Sequence, residues 1–246
     1  MWDRPQTLNR LADLMIACAV LLALYGALHY VIRLPLFPLR EVRLTHGVSL
    51  VGRDEVESLI RREVRGNFFT VDLDAVRAAF ARLPWVRDVS MRRAWPDRLE
   101  VTLKEHVPIA RWNDAALVNN HGEVFNASYD ADLPLFVGPN DAAKEIAIQY
   151  EYFRRTLVAI GKVPREVQVT PRRAWQIRLE DGTTLKLGRE NIEARLGRFV
   201  SAYRRTLQPL ARKVDLVDLR YANGFAVRIP ELRYEKSVPK GRKNLS

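Results

Sequence analysis

The sequence is poor in the residues that usually announce chemistry. It has one cysteine, Cys18. A lone thiol excludes any disulfide within the chain and any cysteine-based metal site. It has four histidines, His29, His46, His106 and His121. None forms a helical i, i+4 pair with an intervening glutamate, so a zincin-type centre is excluded. His121 and Glu123 can share a strand face, but such a pair in a turn-rich stretch reads as surface. Gly-x-Ser-x-Gly and Ser-x-x-Lys are both missing. The 12 glycines mark turns and helix ends, and no phosphate-cradling loop is among them. Asp72 and Asp74 read as a helix start, not as a catalytic carboxylate pair. Asn126-Ala127-Ser128 fits a glycosylation triplet, which matters only in a host that glycosylates there. Catalytic groups can lie far apart in a sequence, so these absences weigh against an enzyme without excluding one. No cofactor and no metal is expected.

Acidic residues are also in deficit. Forty Lys and Arg face 29 Asp and Glu, a net charge of +11 in 246 residues. That balance suits an anionic partner or a solvated basic surface. The arginine pairs (Arg61–Arg62, Arg92–Arg93, Arg154–Arg155, Arg172–Arg173, Arg204–Arg205) are scattered. Nucleic-acid binding calls for a basic stripe, so no nucleic-acid partner is expected.

Long apolar runs are lacking too, with one exception. Residues 14–32, LMIACAVLLALYGALHYVI, carry no formal charge. A spanning helix needs about 20 such residues. A cleaved signal peptide would have a shorter apolar core, about 7–15 residues, followed by a small-x-small site that LHYVIRL does not offer. The reading is a retained transmembrane helix over 14–34 after a short cytoplasmic tail, 1–13. Arg4 and Arg10 precede it; Arg33, Arg40 and Arg43 follow. The positive-inside rule therefore does not fix its direction. A brief amino-terminal tail with the bulk beyond the membrane fits a single-pass signal-anchor.

Residues 37–105 read as strand, helix, helix, strand, strand. EVRLTH (41–46) alternates as a half-buried strand. Val56, Leu59, Ile60 and Val64 recur at three and four as a helical stripe, and Gly66 can end it. Asp72 reads as an N-cap for a second helix with Leu73, Val76, Phe80 and Leu83 inward and Pro84 as its stop. Trp85, Val89 and Met91 share a strand face. Leu99, Val101 and Leu103 alternate with Arg98, Glu100, Thr102 and Lys104. Trp95-Pro96-Asp97 is the corner of a hairpin.

Residues 106–230 change pattern. Short strands are expected at 109–112, 116–119, 123–126 and 134–138. A helix over 141–161 follows, then strands at 166–170 and on either side of Asp181-Gly182, a strong hairpin signal. A second helix over 190–207 buries Ile192, Leu196, Phe199, Tyr203 and Leu207. Two last strands, 213–221 and 224–229, complete an α+β chain whose second part is a mixed or antiparallel β domain with two flanking helices. The tail 231–246 is Lys/Arg-rich without an apolar pattern and reads as disordered.

The β-α-α-β-β order, with LPWVRDVSMRRAWPDRLEVTLKEHVPIARW across the hairpin, resembles a POTRA domain. With the span before it, and with AWQIRLEDGTTLKLGR, RLGRF and VDLRYANGFAVRI after it, residues 1 to about 230 resemble the FtsQ/DivIB family of bacterial cell-division proteins. The resemblance implies a non-enzymatic scaffold of the divisome in the bacterial inner membrane, its bulk in the periplasm at the septum. It implies that FtsB and FtsL bind the last strand of the β domain, and that the POTRA domain meets other division membrane proteins. Residue by residue, it places partner contacts on Arg189, Arg220, Tyr221, Gly224, Phe225, Val227 and Ile229. Phe225 stands where a small residue is common, and Ile229 where an aromatic is. Arg195 or Arg198 could join Arg189 in pairing with acidic partner side chains. Independently of the resemblance, an open strand at the end of a sheet can accept another chain. Two other readings remain. One is a membrane-anchored periplasmic cell-wall enzyme with a POTRA-like positioning domain. The other is an outer-membrane assembly or secretion factor, for which about 140 residues after 106 are too few to build the usual barrel.

Overall fold

The computed structural model describes residues 5–34, 38–44, 49–113, 115–210 and 212–230. The chain divides into two compact units, Met1–His106 and Val107–Ser246. The expected basic tail, His46, the end of the strand expected over 41–46, and Gly47 lie outside the described residues.

The first unit opens with α1 (Pro5–Arg33), helical nine residues before the uncharged run begins. Its Asn9–Arg33 stretch is long and apolar enough to cross a membrane, and none of its apolar window is buried. After it come β1 (Glu41–Leu44), α2 (Arg53–Glu63), α3 (Leu73–Phe80), β2 (Val86–Ala94) and β3 (Arg98–Glu105). The sheet order is β1-β3-β2. β1 runs parallel to β3, while β2 and β3 form the expected hairpin, antiparallel from Ala94↔Arg98. Two helices intervene between β1 and the hairpin, which gives the chain length to return and pair in parallel. The Asp72 carboxylate accepts from the Asp74 and Ala75 N–H groups at 3.0 Å, satisfying donors that the first turn of α3 cannot. Val56, Leu59, Val76 and Phe80 meet Val89, Leu99, Val101 and Leu103 in one core. A β-bulge between Val86 and Asp88 lets Val86 and Val89 both reach that core although they are three residues apart.

The second unit runs β4 (Pro108–Trp112), β5 (Ala116–Asn119), β6 (Val124–Phe125), β7 (Leu135–Val137), α4 (Ala143–Val158), β8 (Pro164–Val169), β9 (Trp175–Leu179), β10 (Thr184–Gly188), α5 (Ile192–Thr206), β11 (Leu216–Asp218) and β12 (Ala226–Arg228). These strands form one nine-stranded sheet in the order β12-β11-β10-β9-β8-β7-β4-β5-β6. Phe153 and Leu157 of α4 and Leu196 and Phe199 of α5 are buried with Val167, Val169, Ile177, Leu185 and Leu187. The alternate residues Glu166, Gln168, Gln176, Arg178 and Lys186 are polar and partly or fully exposed. Period-two alternation thus gives one face to the helices and leaves the other to solvent.

Two expectations are corrected. The helix expected from 141 begins as a 3-10 turn at Asn140–Ala142 and is α-helical only from Ala143 to Val158. The strand expected over 213–221 is three residues long. Its sequence alternates well past Asp218, but there Arg220 turns back onto the Asp218 carboxylate through both its N–H and its guanidinium. A local side-chain bond of this kind ends the ladder.

Candidate functional site

Among the described residues β12 forms one margin of the nine-stranded sheet, with β11 its only neighbour. The register sets Leu216 opposite Arg228, Val217 opposite Val227 and Asp218 opposite Ala226. Neighbouring bonds show which way each main chain points. Thr184 N–H donates to the Asp215 carbonyl, and Leu219 N–H to the Lys186 carbonyl. By alternation Val217 also faces β10, which leaves Leu216 and Asp218 facing β12. The Arg228 carbonyl accepts from Asp215 N–H at 3.0 Å, so Arg228 and Ala226 turn their peptide groups inward. The N–H and C=O of Val227 therefore point out from the open margin.

The side chains of this strand divide differently. Phe225 and Val227 are partly buried against the core under α5. The Phe225 ring meets Phe199 edge-on at 5.9 Å. Ile229 is partly buried as well, while Ala226 and Arg228 are exposed on the opposite face. The apolar row of GFAVRI thus faces inward, and what it presents outward is backbone.

Four arginines surround the approach. Arg220 is locked to Asp218: Nη2 donates to Oδ2 at 2.6 Å and Nε to Oδ1 at 2.8 Å. This fork, aided by the Arg220 N–H and by nearby Lys186, holds the Asp218 carboxyl below its usual range. Arg198 of α5 donates to the Ala222 and Tyr221 carbonyls, clasping the turn that leads into β12. Arg195 donates to the Leu187 carbonyl at 2.6 Å. Arg195 and Arg198 thus each bond to carbonyls of their own chain, and each guanidinium has further N–H donors besides. Arg189 has 70% of its side chain exposed and forms an ion pair with its neighbour Glu190 at 3.5 Å. Tyr221 is 56% exposed, one residue past the Arg220 fork.

Two glycines flank this region, and only one is required by its surroundings. Gly188, between Leu187 and Arg189, adopts φ +78°, and a Cβ there would lie 2.8 Å from Arg195 Nη1 and 3.2 Å from Arg220 Cγ. Its lack of a side chain allows both arginines to approach the bulge that closes β10. Gly224 has nothing within 4 Å of its would-be Cβ, so space alone does not demand glycine at that corner. A groove of about 500 Å³ runs between α5 and this corner, lined by Arg195, Arg198, Ala202, Ala222, Asn223 and Phe225. Among the described residues no three His, Cys, Asp or Glu side chains gather as a metal site.

The sequence reading brought Arg189, Arg220, Tyr221, Gly224, Phe225, Val227 and Ile229 to one end of one sheet. It missed Asp218, whose spacing of two from Arg220 was the available signal.

Comparison with known proteins covers both units. The family model "POTRA domain, FtsQ-type" matches residues 37–106. The model "Cell division protein FtsQ/DivIB, C-terminal" matches residues 110–220, ending before β12. The chain is 43% identical to a protein named cell division protein FtsQ from Nitrosospira multiformis, over 93% of this chain and 99% of that one. It is 37% identical to the protein of that name from Burkholderia pseudomallei, over 99% of this chain and 100% of that one. To that of Escherichia coli K12 it is 34% identical, over 82% and 76% of the two chains. With both modules matched in order and full-length relatives above one-third identity, this chain belongs to the FtsQ/DivIB family of cell-division proteins.

Proposed function

We propose that this chain is a single-span scaffold of the bacterial division septum. In this reading α1 anchors it in the inner membrane, the two modules lie in the periplasm, and FtsB with FtsL adds to the margin at β12 as a further strand. The observation that carries the reading is the outward peptide group of Val227 on a strand that, among the described residues, has a neighbour on one side only. Strand addition draws affinity from such main-chain groups. Exposed Tyr221 and Arg189 would then supply the side-chain contacts, the cation meeting acidic residues of the partner. β2, a nine-residue strand, is likewise paired only with β3 among the described residues and offers the first module a margin of its own for other division proteins.

A binding protein is favoured over an enzyme by where the perturbed carboxylates sit. Glu151, Asp132 and Asp88 are each lowered by a neighbouring Arg or Lys on an exposed surface. They do not converge on a cavity, as acid–base pairs do, and Asp181, whose carboxyl is also lowered, lines a small cavity beside Lys162 with no second carboxylate there among the described residues.

The test is Val227→Pro. Proline lacks the outward N–H and is tolerated on a margin strand whose N–H faces solvent. The variant should keep its circular dichroism spectrum and lose co-purification with FtsB and FtsL. Undiminished co-purification would show that the partner does not use this backbone.

A further inference from the structure

The end of α1 is held by a buried side chain of the first module. Asn67, 6% exposed, donates through Nδ2 to the Ile32 carbonyl at 2.7 Å and the Leu34 carbonyl at 3.0 Å. Carbonyls in the last turn of a helix have no partner within it, and an apolar surrounding offers them no water. The other half of the same amide is also used: Oδ1 accepts from the Phe69 and Thr70 N–H groups and the Thr70 hydroxyl, each at 3.0 Å. Pro38 forms a β-bridge with Asn67. A second tie lies at the β2–β3 corner, where Arg40 N–H donates to the Asp97 carbonyl at 2.9 Å. Loop 67–70 and corner 95–97 are thus both bound to the stretch of chain that leaves α1.

These two loops carry aromatic rings. Phe68 is buried between them, edge-on to Phe69 at 5.2 Å and to Trp95 at 5.9 Å. Phe69 remains 42% exposed and Trp95 67% exposed. Arg33 closes the last turn of α1, and exposed Arg40 lies beside the corner. Exposed aromatic rings with cations, at the end of an apolar span, match the chemistry of the headgroup layer.

We infer that the Phe69–Trp95 tip of the first module beds into the phospholipid interface of the bilayer that α1 crosses. The inference rests on the proposed anchoring by α1. The partner is lipid, because the tip is continuous through Asn67 with the segment that would itself lie in lipid. Bedding at two loops would stop the module from swinging about the end of its span and set one standing orientation at the membrane.

The full chain should be reconstituted in phosphatidylethanolamine–phosphatidylglycerol vesicles, with and without lipids brominated near the headgroup. The emission difference between this chain and its Trp95→Phe variant isolates Trp95. That difference should be quenched roughly twofold by the brominated lipid, as for an interfacial ring. Asn67→Asp, which sets an acceptor against the Ile32 and Leu34 carbonyls, should reduce that quenching while the protein still floats with the vesicles. Flotation with an unquenched Trp95 would overturn the interfacial bedding and leave the anchor standing. Failure of the full chain to float would overturn the anchoring reading and this inference with it. Unchanged quenching in Asn67→Asp would overturn the part assigned to Asn67.

Discussion

Arg220 and Asp218 form a closed fork two residues apart, with Nη2 2.6 Å from Oδ2 and Nε 2.8 Å from Oδ1. The carboxylate is nearly buried and the guanidinium mostly exposed. Removing the arginine strands the buried partner, whereas removing the acid frees an exposed one. Arg220→Ala should therefore cost about 1–3 kcal/mol, the penalty for an orphaned buried acceptor. Asp218→Asn should cost less. Urea midpoints of the two variants check the asymmetry. Equal losses would mean the pair matters for charge alone.

The same carboxyl makes stability depend on pH. Asp218 is held low by Arg220, and Glu151 is pulled to about 2 by Arg154 and Arg155. A carboxylate whose folded pKa is depressed binds fewer protons folded than unfolded. Its contribution is whole above the unfolded value of about 4 and lost as pH falls through the folded one. The melting temperature of the full chain in detergent should hold from pH 7 to 5 and fall between about pH 4 and 2. In Asp218→Asn the fall should be shallower.

Tyr221 offers a cleaner probe of binding than the strand's apolar side chains. Its ring is mostly exposed, while Val227 and Phe225 pack inward. Tyr221→Ala should leave the melting temperature unchanged and weaken capture of FtsB and FtsL at least tenfold, as truncation of an aromatic anchor does. Val227→Asp places a charge against the core and should lower stability by about 1–3 kcal/mol, so its binding defect would be mixed with unfolding. Melting curves beside pull-downs separate the two.

What the sequence showed and what it hid follow the range of the interactions. The alternation of Leu99, Val101 and Leu103, the Asp72 cap and the Asp181-Gly182 hairpin are local, and each reads from a few neighbouring residues. The parallel pairing of β10 with β11 joins segments separated by α5, and periodicity is silent about it. The inward turn of Phe225 and Val227 was undecided because alternation gives a face and does not say which face is covered. Nothing local in the sequence marks Asn67. Its role depends on carbonyls more than thirty positions earlier. Arg198 likewise binds a turn 23 and 24 positions away, which no spacing reveals.

Gly188 and Gly182 make a matched pair. Both have positive φ, +78° and +88°, but only Gly188 is crowded, by Arg195 and Arg220. Gly188→Ala should cost about 1–3 kcal/mol from backbone strain plus displaced arginines. Gly182→Ala carries the strain alone and should cost less. Thermal melts rank them, and an equal ranking would mean the arginines yield freely.

Glu105 closes the first module by a device that charge alone does not describe. Its carboxylate accepts from the Val51 and Leu50 N–H groups at 2.9 Å, the Ser49 N–H at 3.1 Å and the Ser49 hydroxyl at 2.8 Å. Burial pulls its pKa up, but the bonds from Val51, Leu50 and Ser49 outweigh that and hold it below the usual range. These donors belong to the turn before α2, so the acid at the end of β3 fixes where that helix starts. Glu105→Gln keeps one acceptor and turns an NH₂ toward N–H donors. It should destabilise by about 1–3 kcal/mol, as loss of charge-assisted bonds does. Hydrogen exchange should rise at Ser49, Leu50 and Val51 ahead of the β2–β3 hairpin. Protection of those three amides in the variant would mean the turn holds itself.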